Sequence, residues 1–459
     1  MTASLNESVP KALDEIAWLR GPWRTAAIAS VLAAMVMVVL DAAIANVALP
    51  TIALSLHITP STSVRIITAY QMGLVMALLP CAALGESLGL RRVFTAGVAL
   101  FTAASALCAL SPSLPWLVAA RFIQGLGGAA VMALGVALLR LMVPHRQLGA
   151  AIGWNALAIA LSAAAGPTIG ALILSVAKWP WLFAVNLPVG LVVMLASLAL
   201  PRVTGTARPL DLLSVLLNAA GFAALVVGAE LVPTSPMLAL ILFAAAALGL
   251  ALLVRREKTK HAPLIPLDLL RGGPFRISVI ASVCCFAGQT AGMVALPYYL
   301  QHGLRQDVLM TGLYMTAWPL TVAVAAPVAG HLAKRITTAW LCAVGGAFLA
   351  IGLAAAALWP LHGDPRPLIP ITMLCGLGFG LFNVPNNRNM FVSAPLERSG
   401  AAGGMQGTAR LAGQTAGAVI MTLLFTFLSF DAAPRIGLEI GAILTLTAGL
   451  VSALRVKPG

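Results

Sequence analysis

Charge is what this sequence has least of. Only 9% of its 459 residues are Asp, Glu, Lys or Arg while 60% are hydrophobic, a balance outside that of an ordinary water-soluble domain. Acids are the scarcer sign, 14 against 28 Lys and Arg. The resulting surplus could serve nucleic acid, but there is no basic tail, heptad or RNA-binding signature, and the cations are scattered through short connections. The six cysteines include no C-x-x-C pair, and no histidine stands at metal-ligand spacing, so disulfides, metals and other cofactors are not expected. G-x-S-x-G, H-E-x-x-H and Walker sequences are missing, as is an embedded pair of acids, which argues against an enzyme and against an ATP-driven pump. The apolar run after the polar first 23 residues is longer than a signal-peptide core and has no A-x-A-like cleavage site, so it is expected to stay as a membrane span.

Long apolar runs are what the sequence does have. A hydrocarbon core needs about 20 apolar residues per helix, and runs of that kind recur from Thr25 to the last residues. Bounded by charges, Gly and Pro, they predict an all-α membrane protein of fourteen transmembrane helices, the first near 25–50 and the sixth near 182–200. The expected organisation is a cytoplasmic segment 1–24, a six-helix bundle 25–200, a linker with an inserted two-helix hairpin 201–276, a second six-helix bundle 277–454 and a cytoplasmic tail 455–459.

Of the 28 Lys and Arg, 21 lie before the first span, after the last, or in loops on that same side. Arg65, Lys178, Arg305, Arg366 and Arg435 lie opposite, and Arg121 and Arg410 lie within spans. By the positive-inside rule both termini of this multi-pass inner-membrane protein are expected in the cytoplasm. The sequence also repeats itself: Asn46-Val47-Ala48-Leu49-Pro50 returns as Met293-Val294-Ala295-Leu296-Pro297, and Gly149, Gly153 and Gly166 fall on Gly400, Gly404 and Gly417 at a constant shift of 251. Duplicated units imply two parallel halves with a substrate site between them.

Several segments carry a family resemblance. Leu40-Asp41-Ala42-Ala43-Ile44-Ala45-Asn46-Val47-Ala48-Leu49-Pro50, Arg121-Phe122-Ile123-Gln124-Gly125-Leu126-Gly127-Gly128 and Trp181-Leu182-Phe183-Ala184-Val185-Asn186-Leu187-Pro188-Val189-Gly190 together resemble the major facilitator superfamily, specifically its fourteen-helix drug:proton antiporter branch. The fifth span has Gly153, Ser162, Gly166-Pro167 and Gly170, similar to that branch's antiporter motif with Ser162 in a glycine's place. Small residues permit close helix approach and Pro167 can bend the span, so the resemblance implies an interface helix that blocks proton leak. The loop Gly85-Glu86-Ser87-Leu88-Gly89-Leu90-Arg91-Arg92 is similar to the family's cytoplasmic conformational motif, with Glu86 for Asp and with Ser87 and Leu90 for arginines. Gly89, Arg91 and Arg92 keep the pattern. Its counterpart, Gly330 to Arg335, has no acid and reads as a solvated basic loop.

Ionisable groups deep in a span cost about 2.5–3.5 kcal/mol on insertion scales and are functional candidates for that reason. Asp41 lies nine residues before Pro50 and Arg121 five after Trp116, in helices of opposite direction, so both fall at comparable depth. An apolar surround favours a neutral acid and a nearby guanidinium favours the carboxylate. Asp41 is therefore expected to be a proton site or a substrate-cation site modulated by Arg121, with a static structural pair as the alternative. Glu230 is kept as a further proton-coupling candidate, although its place near the outer end of its helix favours an interfacial side chain, and Glu439 is read as interfacial. Arg410 is too deep to be an anchor.

The other embedded polar groups are Asn46, Tyr70, Gln71, Gln124, Asn155, Gln289, Asn383, Asn386, Gln406 and Gln414. Unpaired amides are costly in lipid, and by the resemblance their helices line the cavity. Singly, each could be helix-to-helix glue. Trp154 and Trp318 could offer aromatic surface to a substrate. The expected protein is a secondary transporter, a monomer in the bilayer, that exports small amphiphilic or cationic compounds in exchange for protons by alternating access. A dedicated exporter or symporter of one metabolite, or a membrane sensor without transport, are the alternatives.

Overall fold

The computed structural model describes residues 22–143, 145–202, 211–232, 234–257, 267–270, 273–333, 335–360, 363–394 and 399–455. Among them the chain is helical throughout, as a backbone in lipid must be, since only internal hydrogen bonds satisfy its polar groups there. The first half contains α1 (Pro22–Ser55), α2 (Pro60–Leu88), α3 (Leu90–Ala109), α4 (Leu114–Met142), α5 (His145–Val176), the single turn α6 (Trp181–Ala184) and α7 (Asn186–Ser197). Next come α8 (Leu212–Leu231), α9 (Pro236–Glu257) and the short α10 (Leu267–Leu270). The second half has α11 (Gly273–Tyr298), closed by a π turn at Tyr299–Gly303, then α12 (Val308–Leu332), α13 (Thr338–Leu358), α14 (Leu368–Val392), α15 (Ser399–Phe427) and α16 (Ala432–Ala453).

Eleven described helices are long and apolar enough to cross a membrane, and three shorter apolar stretches, Leu161–Val176, Trp181–Ser197 and Leu212–Gly228, lie in α5, α6–α7 and α8. Their lipid-facing character is plain on α9, where Leu238, Leu240, Ile241, Leu248 and Leu252 are all exposed. A helix apolar on every face has no aqueous side to present.

Two expected boundaries differ, and proline explains both. α1 runs past the anticipated end at Pro50 to Ser55, with Pro50 inside the helix. Pro50 removes only one ladder bond, while Leu49 and Ile52 on either side of it are fully buried and hold the helix in line. The sixth span is not one helix but two, broken at Val185. Pro188 has no N–H to offer the Ala184 carbonyl, so one ladder bond is missing there, while the Val185 N–H keeps its ordinary helical bond to the Trp181 carbonyl at 3.2 Å. Asn186 stands at the first turn of α7, where the site uses it.

Short connections are set by local signals. Gly89 joins α2 to α3 alone, with φ 101°, a backbone conformation that favours glycine. Thr59 and Asp307 cap α2 and α12 by accepting from the N–H groups of Thr62 and Met310. Asp211 caps α8 by accepting from Ser214 and also pairs with Arg256 of α9 through two bonds of 3.1 and 3.2 Å, which staples the α8–α9 hairpin.

The two halves meet along α5 with α12 and along α2 with α15. A duplication that maps α2 onto α12 and α5 onto α15 exchanges these two contacts, the relation expected of parallel repeats about an axis along the membrane normal. The repeated glycines play matching parts. A side chain at Gly166 would strike Ala43 of α1, and one at Gly417 would strike the Ala287 carbonyl of α11. At the end where α1 passes to α2, one hydrophobic core runs through both halves, joining Val47, Ile52 and Val64 to Val294, Tyr298 and Tyr314. At the opposite end, where α1 begins and α16 finishes, each half has its own cluster, and among the described residues Leu411 crosses from the second half into the core of the first.

Candidate functional site

The site is built around Asp41, which is 2% exposed in the middle of α1. Arg121 of α4 donates Nη1–H to its Oδ2 at 2.5 Å. Gln124, one turn further along α4, donates Nε2–H to Oδ1 at 2.9 Å, and Asn186 donates Nδ2–H to the same oxygen at 2.7 Å. Behind them the Ser105 hydroxyl of α3 accepts from Gln124 at 2.8 Å and Asn186 at 3.4 Å. Gln124 Oε1 accepts in turn from Arg121 at 2.5 Å. The carboxylate thus receives three donors from two helices, as a buried charge requires.

Arg121 is held just as fully. Its Nε–H donates to the Ile66 carbonyl of α2 at 3.3 Å, and its guanidinium lies 4.3 Å from the centre of the Tyr70 ring and 5.4 Å from that of Phe183. Stacking on aromatic faces suits the weakly hydrated guanidinium. The Tyr70 hydroxyl donates to the Val38 carbonyl at 3.4 Å, tying α2 to α1.

One face of this assembly borders a cavity of about 190 Å³ between the halves. The first half supplies Asn46, Ile67, Tyr70, Gln71 and Arg121; the second supplies Gln289, Thr290, Met293, Arg410 and Gln414. Apolar walls come from Val38, Leu74, Met132, Ile159 and Leu411. Asp41 is not in the lining: Arg121 stands between it and the cavity. Among the described residues Gln71 Oε1 and Arg410 Nε are buried without hydrogen-bond partners. A lining mostly apolar with a few convergent polar groups is the usual make-up of a small-molecule site.

The structure brings together Asp41 with Arg121, and Asn46, Tyr70, Gln71, Gln289 and Arg410 around one cavity. Gln124 sits behind Arg121 in the carboxylate network rather than on the cavity wall. Asn386 lies elsewhere, fully buried and donating to Ser278 and Ser282 of α11 at 3.0 Å each, with Arg455 on its Oδ1 at 3.2 Å. It clamps α14, α11 and the end of α16. Asn383 accepts from Asn387 in its own helix at 3.1 Å. Trp318 is 2% exposed, packed within the second half near Gly292. Asn155 is buried in α5 and Gln406 half-buried in α15, neither bordering the cavity. Glu439 is exposed.

Pro167 and Gly170 lie where α5 touches its neighbours: Gly312 of α12 rests on the Pro167 carbonyl, and Gly170 on Ile44 of α1. Arg91 donates to the Leu200 carbonyl at 3.1 Å, and Arg92 is exposed. The side chains of Glu86, Gly153, Trp154 and Glu230 lie outside the described residues.

Asn186 and Ser105 are the participants that sequence reasoning passed over. Asn186 had a signal, being an amide inside an apolar stretch of a recognised motif. Ser105 had none, since a helical serine ordinarily bonds its own backbone, and this one also does so, to Phe101 at 2.8 Å.

Two helical halves around a central cavity, with Arg121 in its wall and Asp41 paired behind it, have the build of a membrane carrier. The family model of the Major Facilitator Superfamily matches residues 31–254 and 278–459, so the chain belongs to that superfamily of membrane-spanning transporters. It is similar to the uncharacterized transporter YebQ of Escherichia coli, 43% identical over 441 residues covering 95% of this chain and 96% of that one. The multidrug resistance protein Stp of Mycobacterium tuberculosis is 32% identical over 410 residues, 87% of this chain and 76% of Stp. The riboflavin transporter RibZ of Clostridioides difficile is 29% identical over 389 residues, 82% of each. A crystal structure of the peptide transporter POT shares the fold, with TM-score 0.72 at 14% identity over 93% of both chains.

Proposed function

We propose that this transporter exports small amphiphilic compounds in exchange for protons by alternating access. It would do so as a monomer, crossing the inner membrane fourteen times with both termini in the cytoplasm. Its domains would be a first bundle 25–200, an inserted hairpin within 201–276 and a second bundle 277–454. The similarity to a multidrug resistance protein supports export of this kind, and the mainly apolar cavity suits guests held by shape and dispersion.

The observation that carries the reading is the position of Arg121, with one side on the sealed carboxylate of Asp41 and the other on the cavity. When ionised, Asp41 ties α1 to α4 and α7 through the three donors of Arg121, Gln124 and Asn186. A proton arriving on the carboxylate cancels the charge that Arg121 pairs with and turns an acceptor oxygen into a donor facing donors. α1 is then free to move against the rest of its half. Substrate leaves while the pair is ionised, and the proton accompanies the return stroke. Gly166, Pro167 and Gly170 give α5 the close, bent packing along which the halves rock, and Glu86, Gly89, Arg91 and Arg92 form the hinge between α2 and α3. Cavity residues Asn46, Tyr70, Gln71, Gln289 and Arg410 bind the guest.

The test is dye efflux from vesicles reconstituted with the purified protein under an imposed pH gradient. Flux that follows the gradient, and an Asp41→Asn protein that binds dye but no longer answers to the gradient, are expected. Gradient-driven export by Asp41→Asn at the wild-type rate would remove the carboxylate from the mechanism.

A further inference from the structure

Resting on the reading of the central cavity as the substrate site, the charge distribution around it says what sign of guest it takes. Two arginines line the cavity and no described acid does. They are not equivalent. The charge of Arg121 is matched at 2.5 Å by Asp41, so the pair presents little net charge to the cavity. Arg410, on α15 in the other half, has no such match. Its Nε–H is buried without an acceptor, and the polar residues that share the lining with the two arginines, Asn46, Tyr70, Gln71, Gln289, Thr290 and Gln414, are neither Asp nor Glu.

A guanidinium is always protonated and cannot shed its charge as a buried lysine can. Holding one in lipid costs free energy unless a partner is supplied. We propose that the partner is the substrate: the cavity selects an amphiphile with a single acidic group, such as a carboxylate, seated on Arg410, with its apolar body against Val38, Met132, Ile159 and Met293. The one uncompensated cation limits the guest to one anionic group. A cationic amphiphile would face Arg410 across a site whose described residues offer no carboxylate to offset it, so the cationic substrates admitted by the sequence are disfavoured.

The experiment uses a matched set of probes and needs no gradient. The full-length protein in lipid nanodiscs is titrated with pyrenebutyrate, its methyl ester and a pyrenebutyl trimethylammonium salt, against empty nanodiscs. The acid should bind about tenfold or more tighter than the ester, the size of effect one charge-assisted hydrogen bond gives, and the cation weakest. Arg410→Gln should bring acid and ester to equal affinity, and Arg410→Lys should keep part of the preference. Equal binding of acid and ester by the wild type, or tighter binding of the cation, overturns the proposal even if Arg410→Gln fails to fold. An acid preference that survives in folded Arg410→Gln also overturns it. Because binding is read at equilibrium, loss of this preference and loss of proton coupling are separate results.

Discussion

Asn186, at the start of α7, donates to the Asp41 carboxylate at 2.7 Å across 145 positions of sequence. The sixth apolar segment is interrupted at Val185 with its backbone still right-handed helical, φ −60° and ψ −24°, and the next residue, Asn186, has its amide on the carboxylate. Asn186→Ala removes one of two donors on Oδ1 and leaves buried acceptor capacity unmet, a loss of about 1–3 kcal/mol. The purified variant should melt at a lower temperature than wild type. Asn186→Leu, which fills the space but donates nothing, should be no better. A Leu variant as stable as wild type would mean the amide is dispensable to the network.

The structural and proton-carrying parts of Asp41 can be separated by treating it with its partner. Asp41→Asn strands the Arg121 cation in a site 1% exposed, and breaking a buried pair from one side costs about 3–5 kcal/mol. Asp41→Asn combined with Arg121→Gln removes both charges and should regain most of that stability, measured by thermal unfolding. Efflux driven by a pH gradient should be absent in both. A double variant that is stable and still follows the gradient would place the proton site elsewhere.

Depth in the membrane was legible in the sequence, but direction around each helix was not. Counting from Pro50 and from Trp116 puts Asp41 and Arg121 at one level, and the structure has them in contact. Counting equally well puts Asn386 at a plausible depth, yet its side chain turns away from the cavity to Ser278 and Ser282. Helix rotation is fixed by packing with other helices, which a single chain of letters does not display. The resemblance of whole motifs supplied the fold, because spans and repeats are long-range patterns of hydrophobicity and glycine. The network behind Arg121 depended on the direction of the Asn186 amide and on Ser105, features of one residue each. The missing acid at the cavity could be suspected from scarcity of carboxylates, but the isolation of Arg410 required coordinates.

Where α5 meets α12, Gly312 has no side chain because none fits: a Cβ there would run into the Pro167 carbonyl and the Ala171 methyl. Gly312→Val should push the halves apart along this seam. Overpacking costs about 1–3 kcal/mol, enough to shift a two-state equilibrium about 5- to 150-fold. An impermeant maleimide applied from the side of the α1–α2 connection should then label Asn46→Cys faster in the Gly312→Val background, measured over the native cysteines. Unchanged labelling would mean that this contact does not help hold that end shut.

Two hydroxyl pairs join the halves at the same end, Thr168 of α5 with Thr316 of α12, and Ser63 at the start of α2 with Tyr298 at the end of α11, each 2.5 Å between oxygens. Ser63 and Tyr298 are both buried, so their bond replaces no exposed contact with water. Ser63 also donates to the Pro60 carbonyl at 2.8 Å, so Tyr298 is the donor of the pair: Ser63→Ala strands the Tyr298 hydroxyl, whereas Tyr298→Phe leaves Ser63 bonded to Pro60. Ser63→Ala and Tyr298→Phe should therefore each favour the state open at that end, by about 0.5–1.5 kcal/mol. The double variant should fall well short of their sum, because the two substitutions act on one bond. Spin labels placed on the α1–α2 and α11–α12 connections would report the distance distribution. If the two single effects add, the hydroxyls act independently and the bond is not a latch, leaving the pair of Thr168 with Thr316 and the shared core of Val47, Ile52 and Val294 to keep this end closed.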